Sequence, residues 1–402
     1  MTKRILISIA IFLMLLNLSA QQENNVKSRK VQVTFAYPVG SNGSGAMQYS
    51  NNFSFNILYG LNGGVNGAEI GSIFNYNKGE VKGFQLAGVS NVNTGNSKGF
   101  LLGGVSNTVD NSTSGMLISG VINILNGNSK GFLLSGVSNI VKDSSTGASI
   151  SGVVNILNGN SKGFLLSGVS NIVKDSLAGA SIAGVINYTN QCSKGFHLST
   201  LNICINDFNG FQLGVFNYSR KINGVQLGVI NLDGNAEKGF PIGVLSIVKD
   251  GLYEIEMAAG EVIYANLNYK MGVDRIYTIY KLGYSSYNNH PVYSAGLGFG
   301  SNLSFSEKQK LCIDLSCNMI VFNNNWDGEL NMLNKADFNY KYHFSDKVSL
   351  LIGPSFNLYI TDEMVDGTFG TLKIPYTFYS KEWQTRKLSM WFGLNAGLNV
   401  KI

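Results

Sequence analysis

Four lysines stand 32 residues apart, at Lys98, Lys130, Lys162 and Lys194, each immediately before a glycine. Repeated on one surface, their ammonium groups would form a basic ladder able to hold a polyanion such as lipopolysaccharide or a surface glycan. As plain solvated turns they would keep a stacked structure soluble and unaggregated. Other reactive side chains are sparse. Glu254 and Glu256 share a strand face, with Glu261 nearby; a carboxylate pair can do acid–base work, although inside a β-barrel such a pair faces water. The three histidines, His197, His290 and His343, lie far apart without HExxH or other metal spacing. His343 is expected on the polar face of its strand, lining a pore or solvated. Gly296-Leu297-Gly298-Phe299-Gly300 has the look of a nucleotide loop, but no helix follows it.

The four cysteines, Cys192, Cys204, Cys312 and Cys317, form no CxxC. They read as small apolar residues, with Cys192–Cys204 the one conceivable bridge and Cys312 and Cys317 on opposite strand faces. No Ser–His–Asp constellation and no calcium-binding nonapeptide is legible. The sequence therefore points to no enzyme, no metal and no cofactor.

The elements that would carry the lysines are repeats. Glycines recur at Gly67, Gly83, Gly99, Gly115, Gly131, Gly147, Gly163, Gly179 and Gly195, a spacing of 16 held eight times, and then at Gly210, Gly224 and Gly239. The unit reads G-F-x-L-x-G-V-x-N, and the stretch Asn123–Ser144 recurs unchanged at Asn155–Ser176. Each unit has about ten strand-favouring residues and then a turn such as NGNSK or KDSST, while glycine at this density opposes a helix. Fixed-period self-similarity marks a stacked architecture, in which a copied unit works because each repeat packs only on its neighbours.

Two geometries fit. In a β-solenoid each unit is one coil, with the Leu86-type and Val89-type columns stacked inside and the Asn75-type column forming a hydrogen-bonded ladder. In an antiparallel meander each unit is one strand of a large barrel wall, and the alternation of two turn types at a period of 32 suits this arrangement. The contraction to 15 and 14 residues near Leu213-Gly214-Val215 would invert half a meander strand, whereas a solenoid corner absorbs it. The solenoid is the favoured expectation, with about twelve units over residues 61–250.

From residue 251 the pattern changes to strict alternation. Tyr293, Ala295, Leu297, Phe299, Leu303 and Phe305 oppose Ser294, Gly296, Gly298, Gly300, Asn302 and Ser304. The same holds for Phe338, Tyr340, Tyr342 and Phe344, and for the run from Phe392 to Ile402. Long strands with one apolar, aromatic face and one small or polar face are the signature of an antiparallel outer-membrane β-barrel. Two earlier strands within residues 21–60 are expected to pair with it, giving eight to ten strands.

Residues 1–20 read as an export signal. Lys3 and Arg4 precede an apolar run over Ile5–Leu18, and small residues lie before a cut ahead of Gln21. No later run is long enough for a helical span. The profile is that of a folded chain, with 44% hydrophobic residues and 13% charged. A formal charge of +6 without clustered arginine gives no footprint for nucleic acid.

The repeated G-x-Q-L-x-G-V-x-N phrase, the opening Y-P-V-G-S-N-G at Tyr37–Gly43 and the closing GFPIGVLSIVKDG at Gly239–Gly251 resemble the surface-repeat proteins of diderm bacteria. That resemblance spans nearly all of the chain after the signal. It implies an exported protein with an outer-membrane-like C-terminal region and no assigned activity, so no functional residues carry over. The chain departs from the Q-L form where Leu101, Leu133, Leu165 and Ser149 occupy the place of Gln85. The reading as a whole is a non-enzymatic outer-membrane protein at the cell surface, displaying a β-repeat stack for adhesion or shielding, with outer-membrane lipid as partner. The alternative is a channel whose barrel wall includes the repeat strands.

Overall fold

The computed structural model describes residues 26–236, 238–326 and 330–402; the expected export signal lies outside the described residues. The chain is all-β, a solenoid of about twelve turns followed by a closed antiparallel barrel of eight strands. By compactness it divides into two units, one ending at Asp143 and the other Ser144–Ile402.

In the first unit a typical coil is a seven-residue strand, Ser97–Gly103, a corner at Gly104-Val105, a four-residue strand, Ser106–Val109, and a turn. The next coil pairs with it in parallel and in register, Gly99 against Gly115 and Asn107 against Asn123. The leading glycine is required twice over. Gly99 and Gly115 have φ of 130° and 134°, a region costly for other residues. A Cβ on Gly115 would also lie 2.0 Å from the carbonyl oxygen of Gly99.

This parallel stack rules out the meander. It also corrects the expected place of the N-terminal strands. Lys27–Ala36 and Tyr49–Asn62 pair in parallel with each other, and Tyr49–Asn62 continues onto Gly64–Gly71 and Phe74–Asn77. They begin the solenoid and contribute nothing to the barrel.

The filling of the coils is a second correction. The Asn ladder forms as expected: Asn75 donates to Asn91, Asn91 to Asn107 and Asn107 to Asn123 at 2.8–2.9 Å. The Leu86-type and Val89-type columns, however, are not inside. Val89, Val105, Val121 and Val137 face outward, Val137 being 42% exposed, and Leu86 is half-buried. The buried column is the neighbouring one, through Gln85, Leu101, Leu117 and Leu133. The inward places alternate along each strand and hold Ser and Asn together with about two large apolar residues in a coil, such as Leu101 and Val109 or Leu117 and Leu125, while further apolar columns cover the outside. The Gln85 column is thus a packing column, which explains why Leu and Ser replace Gln in it.

In the second unit the coils continue in the same register, Gly147 against Gly163 and Asn155 against Asn171. The shortened units are absorbed at corners and turns. Ile182 pairs with Leu198 but Ile186 with Leu201, so the lost residue falls at Ser199-Thr200; the next shift falls between Cys204 and Asp207.

The barrel strands are β1 (Leu252–Gly260), β2 (Ala265–Val273), β3 (Ile276–Tyr287), β4 (His290–Ser304), β5 (Gln309–Phe322), β6 (Asn331–His343), β7 (Val348–Thr361) and β8 (Lys387–Lys401). Each pairs antiparallel with the next, and β1 closes on β8 through Glu254–Lys401 to Gly260–Asn395. Turns at the end where β1 begins are short. At the other end β7 and β8 are joined by a long loop carrying a small hairpin and the strand Tyr379–Glu382.

Candidate functional site

The barrel wall has the two faces that alternation requires. Leu297, Phe299, Leu315, Phe338, Phe392 and Leu394 are exposed outside, and Ser294, Asn302, Asp314, Asp337, Asn339 and Asn395 are buried inside. Cys317 points out and Cys312 in, as their spacing predicts, and all four cysteines are free.

The inward carboxylates meet lysines from distant strands. Lys270 on β2 lies 2.7 Å from both Glu256 and Asp314. Asp314 also accepts from the Tyr277 hydroxyl, and Glu256 from Asn268. Lys341 on β6 reaches both oxygens of Glu254 at 2.6 and 2.7 Å, with Asn399 donating to the same carboxylate. Asp337 is held between Lys281 at 3.2 Å and Lys335 at 3.5 Å. Four lysines thus balance four carboxylates across the lumen. Eight strands leave an interior that side chains just fill, and this pairing offsets the cost of burying the charges. Glu254 and Glu256, candidates for acid–base work, are ion-pair partners here, and Glu261 instead accepts from the Trp391 indole at 2.9 Å.

The two ends differ. At the long-loop end Thr371 and Leu372 tuck inside: the Tyr359 hydroxyl lies 3.1 Å from the Thr371 hydroxyl and accepts its backbone N–H, and Leu372 packs with Trp391, Phe322 and Leu333. At the short-turn end a cavity of about 850 Å³ is lined by Glu254, Asp274, Lys310 and His343, together with Asn235 and Val248 of the last coils. His343 sits at this mouth, half-buried, in keeping with its polar strand face.

Inside the coils lie ionisable groups whose setting the sequence did not disclose. The Glu69 carboxylate is fully buried and accepts from Asn56, Asn62, Asn77 and Gln85 at 2.5–2.9 Å. Burial pushes it up to about 7, against the opposing pull of those four amides. Asp233 accepts from the Ser219 hydroxyl and is likewise raised to about 7 by burial. His197 lies 2.9 Å from the Ser193 hydroxyl and edge-on to Phe208; burial pushes its ring down to about 3. This serine–histidine contact is sealed from solvent, and a base so weakened cannot activate the hydroxyl near neutrality.

The lysine ladder stands on the outer surface. Lys98, Lys130, Lys162 and Lys194 are exposed, at the start of the longer strand of every second coil. In-register coils are about 4.8 Å apart, so Lys98 and Lys130 in the first unit, and Lys162 and Lys194 in the second, stand roughly two coils, or ~10 Å, apart. Ser114 stands between Lys98 and Lys130, and Ala178 between Lys162 and Lys194. Where two lysines do fall on adjacent coils, Lys82 and Lys98, Glu80 pairs with both at 2.8 and 3.1 Å. The alternation at a period of 32 that suits a meander thus stands in a parallel stack, where it keeps these lysines off adjacent coils.

No protein-family model matches the chain, and no curated protein matches it. Among solved structures it is similar to a de novo designed protein, TMB2.3, determined by solution NMR. The match has 15% identity over 38% of this chain and 98% of that chain, with a TM-score of 0.23.

Proposed function

We propose that this is a non-enzymatic outer-membrane protein in which the barrel is an anchor, not a channel, and the repeat stack is the surface that meets partners. The observation that carries this reading is the filled lumen: Lys270, Lys281, Lys335 and Lys341 are neutralised in place by Glu254, Glu256, Asp314 and Asp337, and the β7–β8 loop occupies the far end. The apolar exterior of the wall supports immersion in lipid. The exposed lysines, Lys98 and Lys130 in the first unit and Lys162 and Lys194 in the second, are the contacts for an anionic, phosphate-bearing lipid headgroup.

The coils enter the barrel at β1, the end with the short turns and the C-terminal strand end. Short turns face the periplasm in barrels of this type, which favours a periplasmic stack over the surface display for adhesion or shielding expected from the sequence. Protease treatment tests the side. Repeats that are cut only after the outer membrane is permeabilised support the periplasmic arrangement, and repeats cut on intact cells restore surface display. Planar-bilayer recording tests the anchor: the purified chain is expected to carry no steady current, and a large stable conductance would overturn that part of the reading.

A further inference from the structure

The outside of the coils is apolar where a soluble stack would be polar. In the coil that begins at Gly163, Phe164, Leu166, Val169 and Ile172 all point outward, and Val169 is 42% exposed. The same four columns carry no charged residue in any coil of the second unit. They converge on the Gly-Val corner, while Lys162, Lys174 and the Asn-rich turn lie at the opposite corner. Each coil is thus a wedge, apolar at its tip and basic at its base.

The junction with the barrel orients the wedge. In the stack, the corner valine's carbonyl accepts from the next coil: Val169 N–H donates to Val153, Val185 to Val169, and Val229 to Val215, each at 3.0 Å. The last coil has no successor. Its Gly243 carbonyl accepts instead from the Thr278 hydroxyl at 2.7 Å, and its Val244 carbonyl from Tyr280. These two side chains of β3 point out of the barrel, since Tyr277 and Lys281 between and beyond them point in. Stack hydrogen bonds run along the solenoid axis, and strand side chains stand off the sheet. The coils of this unit therefore run outward from the barrel wall, along the plane that the membrane would occupy.

The same contacts give the tilt of the wedge. Along the last coil, Phe240 lies against Arg275 at the short turn, Gly243 against Thr278 and Val244 against Tyr280. The tip thus climbs the wall away from the short-turn end, and the polar base stays at the mouth, where Asn235 and Val248 line the cavity. Tyr280 stacks on Tyr269 on the outer wall, the aromatic pairing found at a membrane interface.

Resting on the barrel's immersion in lipid, we infer that the coils of the second unit are monotopic. Their Gly-Val edge is bedded among the acyl chains of the leaflet next to the short turns, with Lys162 and Lys194 at the level of its anionic headgroups. Amphipathic helices lie in an interface by the same physics; here a parallel sheet supplies the apolar face.

The test uses the full chain in lipid vesicles, with the exposed Cys192 and Cys317 replaced by serine. A nitrobenzoxadiazole probe is attached at Val169→Cys or Val185→Cys on the tip, at Asn160→Cys on the base, or at Leu297→Cys on the barrel wall. Lipids brominated on their acyl chains are the quencher. The expected result is a fractional loss of fluorescence at both tip positions comparable to that at Leu297, and little at Asn160. Quenching at Leu297 with none at the tip would overturn the inference while leaving the barrel in the membrane; a tip probe that responds to protein concentration would then mark a face covered by a second copy. No quenching at Leu297 would remove the barrel reading and the inference together.

Discussion

The coils and the barrel both turn apolar side chains outward and both enclose polar groups, but they satisfy those groups by different means. In the coils the ladder is parallel and in register, so every inward group lies one step from its own column mate. Copying a unit therefore favours groups that satisfy their own kind, even though a single column also sets Gln85 against Glu69. Amides do, nitrogen to oxygen, as Asn155 donates to Asn171 at 2.8 Å. Like charges at about 4.8 Å do not. In the barrel, unlike residues face one another across the lumen, and partners 44 and 87 residues apart, Lys270–Asp314 and Lys341–Glu254, neutralise each other. A stack of neutral ladders can be extended by copying; a lumen of matched charges cannot.

The sharpest way to break this contrast is in the barrel. Lys270→Ala leaves Glu256 and Asp314 buried without their cation and is expected to cost about 3–5 kcal/mol, read as a lower urea midpoint for the barrel refolded in lipid. A loss below about 1 kcal/mol would mean that water, not pairing, fills the lumen. In the coils, position decides the outcome. Leu133→Asp puts a charge at a site 1% exposed and should cost several kcal/mol, whereas Val137→Asp, one corner away and 42% exposed, should change folding by less than about 1 kcal/mol. Thermal unfolding by circular dichroism ranks the two, and equal losses would refute the outward placement of the valines.

Acidity offers a third handle. Folding raises Glu69 from 4.5 to about 7, so the folded chain binds this proton more tightly than the unfolded one. The contribution is whole below the unfolded value, shrinks as pH rises from there, and is gone above about 7; its size is roughly 3 kcal/mol. Asp233 has the same sign, while His197, lowered from 6.5 to about 3, costs stability as pH falls through that interval. Denaturant midpoints between pH 5 and 8 should fall for the parent chain and fall less for Glu69→Gln; identical slopes would sink the assignment.

The smallest effect separates one repeat from two. Deleting 32 residues, Gly163–Lys194, keeps the lysines two coils apart. Deleting 16, Gly163–Ala178, sets Lys162 beside Lys194 without a Glu80 equivalent. Both should fold, with the shorter deletion less stable by about 0.5 kcal/mol at low salt and equal at high salt. Failure of the 16-residue deletion to fold would contradict the one-unit-per-coil register.

Much of this was legible in the residues. The 16-residue glycine column implied coils whose members meet their own kind, and the asparagines accordingly form a ladder. The missing residues fell at the Ser199-Thr200 corner and between Cys204 and Asp207, because a strand cannot lose one without turning its faces over. In the barrel, the alternation over Tyr293–Phe305 placed the inner and outer faces correctly, since successive strand side chains must point oppositely. The repeat columns were misplaced for a definite reason. Val137 and Leu86 were assigned inward because apolar groups are usually buried, yet a coil repeats both faces equally and periodicity cannot say which one is enclosed. The alternation of two turn types at a period of 32 likewise suited a meander, although a parallel stack carries it equally well.

Local order in the residues carries neighbourhood along the chain: the repeat period, the in-register columns, the strand alternation and the point at which one pattern gives way to the other. The closed fold settles which face of each coil is inside, which lysine meets which carboxylate, that the N-terminal strands start the solenoid, and that Thr278 and Tyr280 cap its last coil. Those features depend on how a sheet closes and on what stands opposite each side chain after closure. Residues far apart in sequence meet there, and no local pattern encodes the meeting.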